Sequence, residues 1–215
     1  GATSYTWYAP PSLTNIGSPL PSVTVTPTVS ATYTVKGLTA SGGCLYTKTL
    51  SVNVLPSPTV NVVPSSTAVC LGNPVSFVPS GATSYSYWPG PAVGAPIVTG
   101  PTAQFTPSVP TTYTITGKNI NGCTNTKTVS IGVNQNPTVT ALANPTIICP
   151  GSPATITASG ASTYFWPQTF ATTSAITVTP NVTTVYQAIG TATNGCSKTA
   201  TVQMVVMTTP TVVIS

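Results

Sequence analysis

Thr112-Tyr113-Thr114-Ile115-Thr116-Gly117 and Thr126-Lys127-Thr128-Val129-Ser130-Ile131-Gly132-Val133 flank the turn residues Asn121-Gly122. The second segment alternates with period two, placing Val129, Ile131 and Val133 on one face of a strand. An Asn-Gly pair supplies the positive φ that a tight hairpin needs. The stretch therefore reads as a β-hairpin. Upstream, further strand-like segments follow one another at short intervals: residues 59–63, Pro74–Val78, Tyr85–Trp88 and a weaker Ala103–Thr106. Proline and glycine divide them, and no segment has a helical period. Short strands at regular spacing predict an all-β fold of immunoglobulin-like β-sandwich type.

The same order of signals recurs along the chain. Gly1-Ala2-Thr3-Ser4-Tyr5-Thr6-Trp7 returns as Gly81-Ala82-Thr83-Ser84-Tyr85 followed by Trp88, and as Gly160-Ala161-Ser162-Thr163-Tyr164-Phe165-Trp166. Ala31-Thr32-Tyr33 matches Thr111-Thr112-Tyr113 and Thr184-Val185-Tyr186. Gly42-Gly43-Cys44 matches Asn121-Gly122-Cys123 and Asn194-Gly195-Cys196, and Pro58-Thr59-Val60 matches Pro137-Thr138-Val139 and Pro210-Thr211-Val212. Gly1 to Gly81 is 80 residues, and Gly81 to Gly160 is 79. The third copy is shorter between Gly160 and Tyr186, a change expected in a surface connection. A fixed period of this size is the mark of a repeat array. The expected organisation is a partial repeat over 1–55 lacking its first two strands, complete repeats over 56–134 and 135–207, and the first strand of another repeat over 208–215. The short linker Asn134-Gln135-Asn136 predicts that successive repeats touch.

Composition narrows the function. The 215 residues include no Asp, Glu or His, and five lysines carry the net charge of +5. General acid–base catalysis draws on His and carboxylates, and glycoside hydrolysis on a carboxylate pair. Calcium and magnesium need carboxylate oxygens, and zinc needs clustered Cys, His or carboxylates. Self-formed isopeptide bonds normally need a neighbouring acid. The expectation is a chain that is not an enzyme, with no cofactor and no metal. Lys36, Lys48, Lys118, Lys127 and Lys198 are scattered singly, without the basic stripe that nucleic acid requires. No apolar run approaches a membrane span.

The repeated Gly-Ala-Thr-Ser-Tyr-x-Trp, Thr-Thr-Tyr-Thr-x-x-Gly, Asn-Gly-Cys and Cys-x-Gly elements resemble the PKD-like and Ig-like repeats of Bacteroidota surface proteins. Gliding-motility adhesins and other large cargo of the type IX secretion system carry such arrays. The resemblance covers essentially the whole chain and implies a secreted or cell-surface repeat protein.

Several residues invite a role. Trp88 and Trp166 suit either a sandwich core or a glycan-contacting platform, with Trp7 their counterpart. Tyr33, Tyr113 and Tyr186 read as structural tyrosines at a strand corner. Asn181-Val182-Thr183 is an acceptor pattern for N-glycosylation. The cysteines Cys44, Cys70, Cys123, Cys149 and Cys196 are odd in number, so one at least has no partner within the chain. Two pairing schemes stay open, beside the alternative that the cysteines are free thiols. Within repeats, Cys70 would join Cys123 and Cys149 would join Cys196. Across repeats, Cys70 would join Cys196, because the turns carrying Cys70 and Cys123 belong to opposite poles of one sandwich, about a strand length of 20 Å apart. Three functions follow: a non-enzymatic structural or adhesive stalk, whose partners are neighbouring repeats of the same chain or filament; a carbohydrate-binding or spacer module contacting surface polysaccharide; and a filament subunit that polymerises by strand exchange.

Overall fold

The computed structural model describes residues 2–10, 14–17, 22–40 and 43–208. Gly1, Gly42 and the Pro210–Ser215 segment, on which sequence expectations fall, lie outside them. The described residues contain no helix. The first repeat supplies β1 (Ser4–Ala9), β2 (Thr14–Gly17), β3 (Ala31–Leu38) and β4 (Leu45–Val52), paired in the order β2-β1-β3-β4. The middle repeat supplies β5 (Asn61–Pro64), β6 (Ala68–Cys70), β7 (Val75–Ser80), β8 (Ser84–Pro89), β9 (Val98–Thr99), β10 (Ala103–Phe105), β11 (Thr111–Lys118) and β12 (Thr124–Asn134). These form a sheet β10-β7-β5 and a sheet β6-β12-β11-β8-β9. The third repeat supplies β13 (Thr140–Asn144), β14 (Ile147–Ile148), β15 (Ala154–Ser159), β16 (Thr163–Phe165), β17 (Ala175–Val178), β18 (Thr184–Thr191) and β19 (Ser197–Val206), as sheets β13-β15-β17 and β14-β19-β18-β16.

The middle and third repeats share one connectivity. The first, third and penultimate-hairpin-preceding strands make one sheet, and the final hairpin makes the centre of the other. This is the two-sheet order of an immunoglobulin-like β-sandwich. A short strand joins the second sheet in parallel with the last strand: Ala68, Val69 and Cys70 pair with Gly132, Val133 and Asn134, and Ile147 and Ile148 pair with Val205 and Val206. The shorter third repeat has no counterpart of β9; a tight turn from Trp166 to Ala171 replaces it.

By internal contacts the chain divides into two compact units, and the division crosses the middle repeat. One holds Gly1–Asn61, Ser80–Tyr85 and Thr116–Thr126. In it, β4 is exposed along almost its whole length, β1 is half-buried, and Tyr33 on β3 is buried. Lys36 Nζ sits 5.0 Å from the ring centre of Tyr8. Tyr85 folds its hydroxyl back onto its own entry turn, accepting from Ala82 N at 2.7 Å and donating to Ala82 O at 3.0 Å.

The other unit holds Val62–Pro79, Ser86–Ile115 and Lys127–Ser215. Its part of the middle repeat has an aromatic core: Phe105 stacks on Tyr113 at 4.8 Å, and Phe77 tilts against both at 5.9 and 5.0 Å. Burial raises the Tyr113 phenol above its ordinary value of 10.0. The core of the third repeat gathers Ile156, Trp166, Ile176, Val178, Tyr186 and Met204, with Trp166, Ile156 and Met204 fully enclosed. Tyr164 repeats the Tyr85 arrangement on Ala161 at 2.9 and 3.0 Å.

Candidate functional site: the repeat junction

The junction between the middle and third repeats is built by two turns and a linker. Cys70 ends β6 opposite Asn134, the last residue of β12. Cys70-Leu71-Gly72-Asn73 then turns, with Asn73 N donating to Cys70 O at 2.8 Å and Gly72 at φ +88°. That positive φ at the third position is what places glycine there. Leu71 N donates to Asn134 O at 2.9 Å, and Asn136 Nδ2 donates to Leu71 O at 2.9 Å. From the third repeat comes the turn Ala192–Cys196, closed by Gly195 N to Ala192 O at 3.0 Å. Asn194 accepts from Cys196 N at 3.0 Å and donates through Nδ2 to Gln135 O at 3.1 Å. These bonds bring the two turns together, and Cys70 and Cys196 are joined by a disulfide with Cα atoms 5.6 Å apart. Beside the bond lies a polar cleft of about 470 Å³ lined by Leu71, Asn73, Asn136, Ser197 and Lys198.

Of the two pairing schemes, the within-repeat one is therefore corrected. Cys70 faces Asn134, the end of β12, whereas Cys123 directly precedes its first residue, and the 11 residues of that strand intervene. Cys44, Cys123 and Cys149 are unbonded in the structure. Two of them repeat the bonded geometry. Cys149-Pro150-Gly151-Ser152 makes the same turn as Cys70–Asn73, with Ser152 N on Cys149 O at 3.0 Å and Gly151 at φ +73°. Cys123 Sγ lies 3.8 Å from Leu55 O, as Cys196 Sγ lies 3.9 Å from Asn134 O. Asn119 Nδ2 donates to Pro56 O at 2.9 Å, doing at that linker what Asn194 does at Gln135.

The aromatic candidates separate. Six residues after the repeat's leading glycine stand Trp7, Tyr87 and Trp166, and Tyr87 and Trp166 are fully buried. Trp88 is one residue out of phase and half-buried, with Nε1 donating to Gly94 O at 3.4 Å. So the middle repeat's core aromatic is Tyr87, not Trp88, because alternate strand residues face opposite sides. Trp166 is also corrected as a glycan contact: its ring is enclosed and its Nε1 donates to Thr173 O at 2.9 Å. Tyr33, Tyr113 and Tyr186 are buried, and burial raises the Tyr186 phenol as it does Tyr113. Asn181 is exposed, while Thr183 Oγ1 of its acceptor pattern takes a hydrogen bond from Val206 N at 3.1 Å.

An aromatic pair that sequence reasoning missed lies on the third repeat. Phe165 and the strongly exposed Phe170 have ring centres 6.5 Å apart. Phe170 has φ 58°, and its N–H donates to Trp166 O at 2.8 Å. Bulky residues rarely adopt that conformation. A phenylalanine there has no motif signature, so nothing in the sequence points to it. Among the described residues no group of metal-ligating side chains occurs.

No family model matches the chain, and no curated protein matches it. Solved structures that resemble it include murine CEACAM1b, at 15% identity and TM-score 0.35, covering 69% of this chain and all of that one. Another is from a study of host cell surface retention of a 1.5-MDa bacterial ice-binding adhesin, at 13% identity and TM-score 0.32, covering 94% of this chain and 84% of that one. A third is the N-terminal four Ig domains of Dscam1 isoform 6.9, at 14% identity and TM-score 0.26, covering 94% and 64%. Likeness at this level carries no argument; the fold rests on the strand order above.

Proposed function

We propose that the chain is a non-enzymatic stalk segment of a large extracellular or cell-surface repeat protein, in which adjoining repeats are fastened to one another and the array serves adhesion. The modules are the repeats at 56–134 and 135–207, with 1–55 and 208–215 belonging to flanking ones. The observation that carries this reading is the Cys70–Cys196 disulfide, which joins neighbouring repeats rather than closing either. A bond so placed is useful where repeats must keep their order under load, and it suits an oxidising compartment. The resemblance to type IX secreted gliding adhesins fits the same picture. The mass of the native polypeptide tests it: a product many repeats long is expected, and one near the 21.7 kDa of this chain overturns it.

The Phe165–Phe170 pair favours a second reading, that the third repeat contacts surface polysaccharide. Exposed rings offer apolar faces on which sugars stack. A glycan array on the wild type and on Phe170→Ala decides it: binding lost in the variant supports contact, and an empty wild-type array ends it.

A further inference from the structure

The cleft beside the Cys70–Cys196 bond is built from two repeats. The middle repeat contributes Leu71 and Asn73, the linker Asn136, and the third repeat Ser197 and Lys198. Its lining is polar, and at about 470 Å³ it has the size of a small-ligand site. A Cβ on Gly72 or Gly195, which also line it, would meet nothing within 4 Å, so neither turn closes the cleft over.

Lys198 is the group that the junction itself does not require. Its counterpart in the middle repeat, two residues after the cysteine, is Asn125. Asn125 Nδ2 donates to Pro58 O at 3.0 Å, tying the last hairpin of that repeat to the segment ahead of its first strand. The third repeat keeps the equivalent of the Asn119 bond, Asn194 to Gln135 O, but puts an ammonium where the second amide was. None of the 215 residues offers a carboxylate side chain to neutralise it. An anion that pairs with Lys198 is therefore a bound one.

Neutral hydrogen-bonding groups stand around the charge. Ser197 Oγ and Thr191 Oγ1 lie 2.9 Å apart and use one hydrogen between them, which leaves a second O–H to offer. Asn136 Nδ2 is engaged on Leu71 O at 2.9 Å, which fixes the amide and leaves Oδ1 to accept. Asn73 adds an exposed amide on the turn that its own N–H closes. One positive charge among amides and hydroxyls suits a ligand with one negative group on a hydroxyl-rich body. An acidic sugar has that chemistry, whereas an aliphatic or aromatic ligand would find little apolar surface to cover.

We propose that this cleft binds an acidic sugar residue of a surface polysaccharide, uronic or sulfated, with Lys198 pairing its anionic group and Asn73, Asn136 and Ser197 taking its hydroxyls. The disulfide is then part of the site, because it holds the wall from the middle repeat against the wall from the third before the ligand arrives. The inference rests on the stalk reading for the source of the polysaccharide, and it gives the adhesive role a ligand class.

Isothermal titration of the oxidised chain with trigalacturonate, its methyl ester, sulfated maltotriose and inorganic sulfate tests this. Expected is saturable binding of an acidic trisaccharide, and the preferred one of the two tells uronic from sulfated. It should bind at least about tenfold tighter than the methyl ester or bare sulfate, and added salt should weaken it. Lys198→Gln, at an exposed position, should weaken binding at least about tenfold, whereas Lys127→Gln, which does not line the cleft, should leave it unchanged. Cys70→Ser, which frees the two walls, should weaken it as well. No saturable binding of either acidic trisaccharide, equal binding of the methyl ester or of sulfate, or an equal loss in Lys127→Gln overturns the proposal. Because Cys70→Ser could disturb folding, Lys198→Gln stands as the independent test. The native mass decides the stalk reading whichever way binding falls.

Discussion

The sheet of the first repeat and the second sheet of the third repeat share three strands in the same order, β1-β3-β4 and β16-β18-β19, and among the described residues they differ in burial. Tyr186 and Ala188 on β18 belong to a closed core with Ile156, Ile176 and Trp166 from other strands. Among the described residues their counterparts differ: Tyr33 on β3 is buried, Val35 half-buried, and Leu45, Tyr46 and Leu50 on β4 are exposed. Pairing and register thus come from local alternation and turns, whereas burial comes from a second layer that those signals do not create. The hairpin is written in its own residues; the core belongs to the repeat.

The largest test of that contrast is a matched pair of truncations. Trp166→Ala should cost about 3–5 kcal/mol, as large aromatic truncations in closed cores do. Trp7→Ala should cost about 1 kcal/mol, because a half-buried ring has less to lose. Chemical denaturation of both variants checks the difference; equal losses would mean that the first repeat's sheet has a covering as complete as the third's. Next in size is the disulfide. Its ends are 126 residues apart in sequence. Cys70→Ser should lower stability by about 2–5 kcal/mol, since closing a long loop restricts the unfolded chain. Non-reducing peptide mapping should return Cys70 with Cys196, and a Cys70–Cys123 peptide would break the assignment.

Smaller still is the glycine comparison. Gly190→Ala should cost about 1–3 kcal/mol by overpacking against Val139, and Gly37→Ala less, with only Ala2 in close contact. Thermal melts of the two variants rank them. The smallest effect is that of pH. Without Asp, Glu or His, stability should be nearly level from about pH 4 to pH 8. Tyr113 and Tyr186 have folded-state values raised by burial, so their contribution is complete below the ordinary tyrosine value of 10.0 and is lost as pH rises through the raised values. Melting temperature should therefore fall only in alkali; a sharp fall at pH 4 contradicts the absence of carboxylates.

Long strands with clean alternation, such as β11 and β12, and the turns at Asn121-Gly122 and Asn194-Gly195 were legible because period and turn chemistry are local. The parallel strands β6 and β14 were not, being three and two residues long and paired with strands more than fifty residues away. Residues 59–63 read as a strand, and the ladder begins at Asn61 instead, since Thr59 packs on Gly81 and Val60 on Gly117. The Trp88 reading followed residue type where counting from Gly81 would have found Tyr87. The junction disulfide was among the schemes that the order of turns left open, but the asparagines that set it in place act through linker carbonyls, which leave no trace in a residue pattern. A surface with almost no charge is likewise explained only in three dimensions: hydroxyl pairs such as Thr32–Ser51, Thr112–Ser130 and Thr191–Ser197, each 2.9 Å apart, span neighbouring strands where ion pairs would otherwise stand.

The Cys70–Cys196 bond also sets what happens when the chain is pulled. A load entering before Cys70 and leaving after Cys196 crosses that bond and bypasses everything between. Residues 71–195, enclosed between the two cysteines, carry none of that load. Reducing the bond puts the load on the folded repeats, and their unfolding would then release roughly 400 Å at about 3.4 Å per residue. Oxidised, the two repeats behave as a short tether; reduced, they become a shock absorber.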